Sequence, residues 1–166
     1  MKYTSAEANK LLKKLNEEHD YLLRIEGISS TFTAASTEDE NSVRPDYDYS
    51  KTQEKLTELE EKIRKVKHAI NSFNISHSIP KYNMTVDQIL VYIPQLTAAK
   101  RKLLSMKQRI PKQRARSIGQ VIDYIYTNYD ISKVSKDLDR ITTTLSEVQT
   151  ALDILNNNET MEIDIE

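Results

Sequence analysis

The chain has 166 residues, 30% of them charged, with a net charge of -1, two glycines, four prolines and no cysteine. That length suits one domain with a real core, expected as a single helical-bundle domain over residues 1–166, and so little Gly and Pro beside so much charge is a long-helix composition. The absence of cysteine excludes disulfides and thiolate metal sites, and with no apolar leader or membrane-length run the expectation is a cytoplasmic protein without a membrane partner.

Thr4 and Glu7 fit a capping box at the start of a first helix. Ala8, Leu11, Leu12, Leu15, Leu22 and Ile25 form its apolar stripe, and Gly27 is expected to stop it. Residues 28–49 are the least regular part. Ile28 to Ala35 is rich in Ser and Thr and suits a short strand. An acidic loop follows and closes on Arg44-Pro45-Asp46-Tyr47-Asp48-Tyr49, where Pro45 pushes Arg44 into an extended conformation.

Ser50 and Gln53 fit a second capping box, opening a helix to about Phe73 with the seam Leu56, Leu59, Ile63, Val66, Ile70, Phe73. After a linker, Thr85 and Gln88 fit a third box, with Met84 and Ile89 at hydrophobic-staple positions. The third helix carries Pro94, which is expected to kink or divide it, and Pro111 ends it. Val121 to Tyr129 is β-branched and aromatic and reads as a strand. Asp130 or Ser132 then caps the last helix. Its seam runs Ile131, Val134, Leu138, Ile141, Leu145, Val148, Leu152, Leu155, or ~36 Å at ~1.5 Å per residue. The tail alternates Met161, Ile163 and Ile165 with acids, so it can pair with Val121–Tyr129. No internal repeat stands out beyond the heptad spacing.

Charge is uneven. No acidic residue lies between Asp87 and Asp123, while that interval holds Lys100, Arg101, Lys102, Lys107, Arg109, Lys112, Arg114 and Arg116. Acid collects at Glu38, Asp39, Glu40, Asp46 and Asp48 and in the tail. A basic pole attracts phosphates, and it can equally be answered by acidic segments of a neighbouring subunit.

Three groups of residues invite a functional reading. Lys67, Asn71 and Asn74 share one helical face, as hydrogen-bond donors for a ligand or as an ordinary polar flank. Arg101, Lys107, Arg109, Arg114 and Arg116 form an anion site or a solvated contact to acid. Tyr47, beside Arg44, and the cluster Tyr124, Tyr126, Tyr129 suit a base or sugar, or simply cover a core. His19, His68 and His77 are scattered without a zinc pattern. There is no P-loop, GxGxxG or GxSxG, so no catalytic residue, cofactor or metal site is assigned.

The motifs Arg44-Pro45-Asp46-Tyr47-Asp48, Lys67-His68-Ala69-Ile70-Asn71 with Asn74, Thr85-Val86-Asp87-Gln88-Ile89-Leu90, Ile93-Pro94-Gln95-Leu96 and an Asn-rich turn before Glu162-Ile163-Asp164-Ile165 span nearly the whole chain. As a set, they resemble a septicolysin-like family of small bacterial helical proteins of unassigned function. The resemblance implies a helical fold and brings no catalytic residues to transfer. Nothing in the chain has the apolar hairpin that membrane insertion would need.

The expected fold is mainly α: an antiparallel bundle of about four long helices with coiled-coil-like seams, the third kinked at Pro94. A minor β element is expected near 121–129 and the C-terminal tail. Seams this long and narrow suggest a homo-oligomer. The leading functional expectation is a non-enzymatic, self-associating protein that binds a small anionic ligand, such as a nucleotide signal. The site would combine Arg44, Tyr47, Lys67, Asn71, Asn74, Arg101, Lys107, Arg109, Arg114 and Arg116. A structural adaptor for partner helices is the alternative, and a nucleic-acid-binding protein the third.

Overall fold

Thr4 and Thr85 each end a short strand and start a long helix, and each does so by the same device. The hydroxyl of Thr4 accepts from the Glu7 backbone N–H, while the Glu7 carboxylate accepts from the Thr4 N–H at 2.9 Å. Thr85 and Gln88 repeat the exchange, the Gln88 side chain accepting from the Thr85 N–H at 2.9 Å. Each box satisfies donors that the first helical turn leaves without partners. The computed structural model describes residues 1–115 and 121–165, and the chain clusters into two compact units.

The first unit comprises Met1–Ser76 and Asn156–Glu166. Strand β1 (Lys2–Thr4) leads into helix α1 (Ser5–Ser29). The short helix α2 (Glu40–Val43) lies in the insert that follows, and α3 (Tyr49–Ser76) returns along α1. Ala8 and Leu15 of α1 are buried, as are Leu56, Leu59, Ile63, Val66 and Phe73 of α3. Hydrogen bonds from Tyr47 and Gln53 to Glu26 lie toward one end of this pair of helices, and His19 approaches Glu60 nearer its middle. The C-terminal strand, here β6 (Thr160–Glu162), pairs antiparallel with β1, Thr4 opposite Thr160, and buries Met161, with Ile163 buried just beyond its end.

The second unit comprises His77–Leu155. Strands β2 (Ser78–Ile79) and β3 (Met84–Thr85) pair antiparallel around a 3-10 turn at Pro80–Tyr82. The turn closes at Asn83, whose φ of 50° is the left-handed conformation that Asn tolerates better than most residues. Helix α4 (Val86–Lys107) leads to the hairpin β4 (Lys112–Arg114) and β5 (Tyr124–Tyr126), and α5 (Ile131–Asn158) returns, its end belonging to the first unit. Ile79, Val86, Ile89, Leu96, Leu145, Val148 and Leu152 form the core, with Met84, Tyr92 and Ile93 packed on it. Lys81 donates to Glu147 at 2.8 Å and ties the turn to α5.

The mainly-α expectation holds, with small antiparallel strand pairs. Several local expectations do not. Gly27 sits inside α1, which runs on to Ser29, with backbone angles that need no glycine. Ile28–Ala35 contains no strand. Ser50 and Gln53 form no capping box: the Asp48 carboxylate accepts from the Lys51 N–H at 3.1 Å, and Gln53 reaches Glu26 instead. Pro94 does not divide α4; it is exposed on a helix that continues through it. The strand within 121–129 is confined to Tyr124–Tyr126 and pairs with β4, whereas the tail pairs with β1.

The chain also carries an internal repeat. Buried Ser5, Ala8 and Leu15 of α1 hold the places of buried Val86, Ile89 and Leu96 of α4. Helices α3 and α5 are both 28 residues long, and Asp48 and Asp130 cap them from equivalent positions. Leu56 matches Leu138, Ile63 matches Leu145 and Val66 matches Val148, all buried. The following strands then bury Ile79 and Met161 alike. Each half is therefore strand, outgoing helix, insert, returning helix, strand.

Candidate functional site

The expected site residues divide between the two units. In the first, Arg44 lies over the Phe32 ring at 4.9 Å and approaches Glu40 at 3.9 Å, so it holds its own insert together. The Tyr47 hydroxyl donates to Glu26 Oε1 at 2.7 Å, which pushes the phenol pKa up to about 12 because the hydrogen bond to a carboxylate favours the protonated form. Lys67 and Asn71 are exposed on α3, and Asn74 is half-buried. In the second unit, Arg101 and Lys107 are exposed on α4, Arg109 follows its end, and Arg114 ends β4. Arg116 lies outside the described residues.

At the far end of α4 these elements enclose a groove of about 570 Å³. Gln108, Arg109 and Ile110 leave the helix on one side, and Gln113, Ile125, Tyr126, Thr127, Asn128 and Tyr129 line the rest. Tyr129 is fixed by a 2.8 Å hydrogen bond to the Met106 carbonyl, and Thr127 N–H donates to the Pro111 carbonyl at 3.0 Å. Among the described residues, Arg109 is the one charged residue in the lining. Lys107 and Arg109 also complement the negative end of the α4 dipole, an ordinary helix-ending role that by itself requires no ligand. The lining adds what that role does not need: side-chain amides from Gln108, Gln113 and Asn128, and the two tyrosines. An arginine fork, amides and phenol rings together can bind a planar anionic molecule.

The antiparallel register sets Lys112 opposite Tyr126 and Arg114 opposite Tyr124, so these four side chains share one face of the hairpin. The Lys112 ammonium lies 4.3 Å from the Tyr124 ring centre and 5.4 Å from that of Tyr126. All six residues of β4 and β5 are exposed. Lys112, Gln113, Asn128 and Ile125 were absent from the expected site. The alternation Tyr124-Ile125-Tyr126 marked the strand, but its partner β4 has no apolar pattern to reveal it.

A second groove, about 370 Å³ between α1 and α3, is lined by Leu15, Leu22 and Leu59 with Glu18, Glu58, Lys55 and Lys62. Its charges are of mixed sign and give an anion no preference. Among the described residues, no group of three His, Asp or Glu side chains could hold a metal, and no helix is long and apolar enough to cross a membrane.

No protein-family model matches the chain, nor does any curated protein sequence. The fold is similar to the crystal structure of a functionally unknown conserved protein from Corynebacterium diphtheriae, with a TM-score of 0.65 and 14% identity, covering 98% of this chain and 100% of that one.

Proposed function

We propose that this is a non-enzymatic, self-associating protein that holds a small anionic ligand of the nucleotide class in the groove at the end of α4. The observation that carries this reading is the lining itself: one guanidinium at Arg109, amides at Gln108, Gln113 and Asn128, and rings at Tyr126 and Tyr129. Phosphate would pair with Arg109, the amides would orient the base edge, and a tyrosine would cover its face. Compared with the expected set, the site contracts to Arg109 and its neighbours. Arg44 already has partners within its own insert, and Tyr47 already has one in Glu26 of α1. The resemblance to septicolysin-like proteins adds no residue to this site.

The test is calorimetric titration with a panel of mono-, di- and cyclic nucleotides, beside inorganic phosphate. A ligand at ~100 times its dissociation constant should raise the unfolding free energy by ~2.7 kcal/mol. Arg109→Ala and Asn128→Ala should each weaken binding about tenfold or more. Silence across the whole panel ends the nucleotide reading. Affinity for single strands that falls steeply with salt would move the function to nucleic acid.

A second reading, an adaptor for a partner's helix, has its own support. Leu90 and Val91 are exposed on α4, where Asn9 and Lys10 hold the equivalent places on α1. Binding to a protein that is insensitive to salt and lost in Leu90→Lys would favour it.

A further inference from the structure

The two inserts of the internal repeat occupy equivalent places, each joining an outgoing helix to a returning one, yet their charges are opposite. The insert of the first unit carries Glu38, Asp39, Glu40, Asp46 and Asp48 against a single cation, Arg44. That of the second unit carries Arg109, Lys112, Arg114 and Arg116 against Asp123 and the capping Asp130, and no acid precedes them back to Asp87. We infer that the Lys112, Arg114, Tyr124 and Tyr126 face of the β4–β5 hairpin is an interface between copies of this chain, occupied by the acidic insert, residues 38–48, of a second copy.

Charge complementarity selects this occupant: a polyanionic segment is present on every copy at the concentration of the protein itself. The acidic insert is also ordered in advance. Asp39 accepts from the Asn41 N–H at 3.2 Å, Asp48 from the Lys51 N–H at 3.1 Å, and Arg44 sits on Phe32, so these residues are already held and need less ordering on docking. The receiving face offers the charges of Lys112 and Arg114 and two tyrosine rings, 46% and 62% exposed, and arginine and tyrosine are among the residue types that dominate binding energy in protein interfaces. This face shares only Tyr126 with the described lining of the groove around Arg109, and Lys112, Arg114 and Tyr124 stand outside that lining, so ligand binding can fail while the interface stands. Every copy carries one insert of each sign. Reciprocal docking closes a dimer with two equal contacts, and one-way docking makes rings or chains.

The experiment is native mass spectrometry and light scattering of the full chain over a salt series, with two charge-reversed variants. One is Glu40→Lys with Asp46→Lys, at carboxylates that cap no helix. The other is Lys112→Glu with Arg114→Glu. The wild-type chain should assemble at low salt and dissociate as salt rises. Each variant should be monomeric alone, with a wild-type circular dichroism spectrum. An equimolar mixture should recover an assembly containing both, since only the mixture restores opposite signs. The neutral variant Lys112→Gln with Arg114→Gln should weaken assembly without repulsion, and it serves if a reversed chain does not fold. A wild-type monomer at low salt, assembly unchanged in every variant, or a mixture that stays monomeric would each overturn the inference.

Discussion

Tyr47 donates its phenolic hydrogen to Glu26 at 2.7 Å, and Gln53 donates to the same carboxylate oxygen at 2.7 Å, so one side chain of α1 anchors both the end of the acidic insert and the first turns of α3. The phenol pKa is raised to about 12, chiefly by that hydrogen bond. An unfolded tyrosine titrates near ~10. Between these values the folded chain binds more protons than the unfolded one, so stability falls as pH rises. The contribution is fully present below ~10 and is lost as pH passes through about 12. Tyr47→Phe should remove this alkaline loss and take one late-titrating phenolate from the ultraviolet pH titration. If all nine tyrosines titrate together in the wild-type chain, the bond does not persist in solution.

The two capping boxes differ in one chemical respect. Glu7 closes the first and can be protonated; Gln88 closes the second and cannot. Bonds from the Thr4 backbone N–H, and then from its hydroxyl, hold the Glu7 carboxyl below the ordinary glutamate value. Its contribution is therefore present above ~4.3 and is lost as pH falls through the lower folded value. Amide exchange in the first turn of α1 should quicken under acid relative to its intrinsic rate, whereas the first turn of α4 should keep its protection. Glu7→Gln should make the two ends behave alike. Thr85→Ala should cost ~1 kcal/mol in a urea melt, and Thr85→Ser much less.

What the sequence disclosed follows from how local each feature is. The Thr4 and Thr85 boxes need only residues within one turn, and both are present as read. The seams through Leu56 and Leu138 need only helical periodicity, and most of their residues are buried, with Ile70, Ile131, Ile141 and Leu155 half-buried. Choices between nearby alternatives were less visible: Asp48 outcompetes Ser50 as a cap because a long-range partner, Glu26, takes Gln53. Strand pairing was least visible, because β1, β4 and β6 are three residues each and too short for a period to register. The repeat was hidden for another reason. Burial is shared between the halves while side-chain size is not, as Ala8 against Ile89 shows. The expected site joined residues by charge and face; the groove depends on a hairpin whose basic strand has no apolar mark.

That same pair gives a test of the packing. Ala8 and Ile89 hold equivalent places in the repeat, and both are 0% exposed. Each place has its own volume, since one holds a methyl group and the other a branched side chain, and close-packed interiors tolerate neither surplus nor deficit. Ile89→Ala removes a fully buried side chain from the cluster of Val86, Leu96, Val148 and Leu152. It should cost ~2–5 kcal/mol, the sum of lost transfer energy and an unfilled cavity. Ala8→Ile forces extra methylenes into a place sized for a methyl group and should cost ~1–3 kcal/mol. Paired urea melts of the two variants check both signs at once. A stabilising Ala8→Ile would mean that α1 leaves space at this position, and that its close approach to α3 is not set by the small residue.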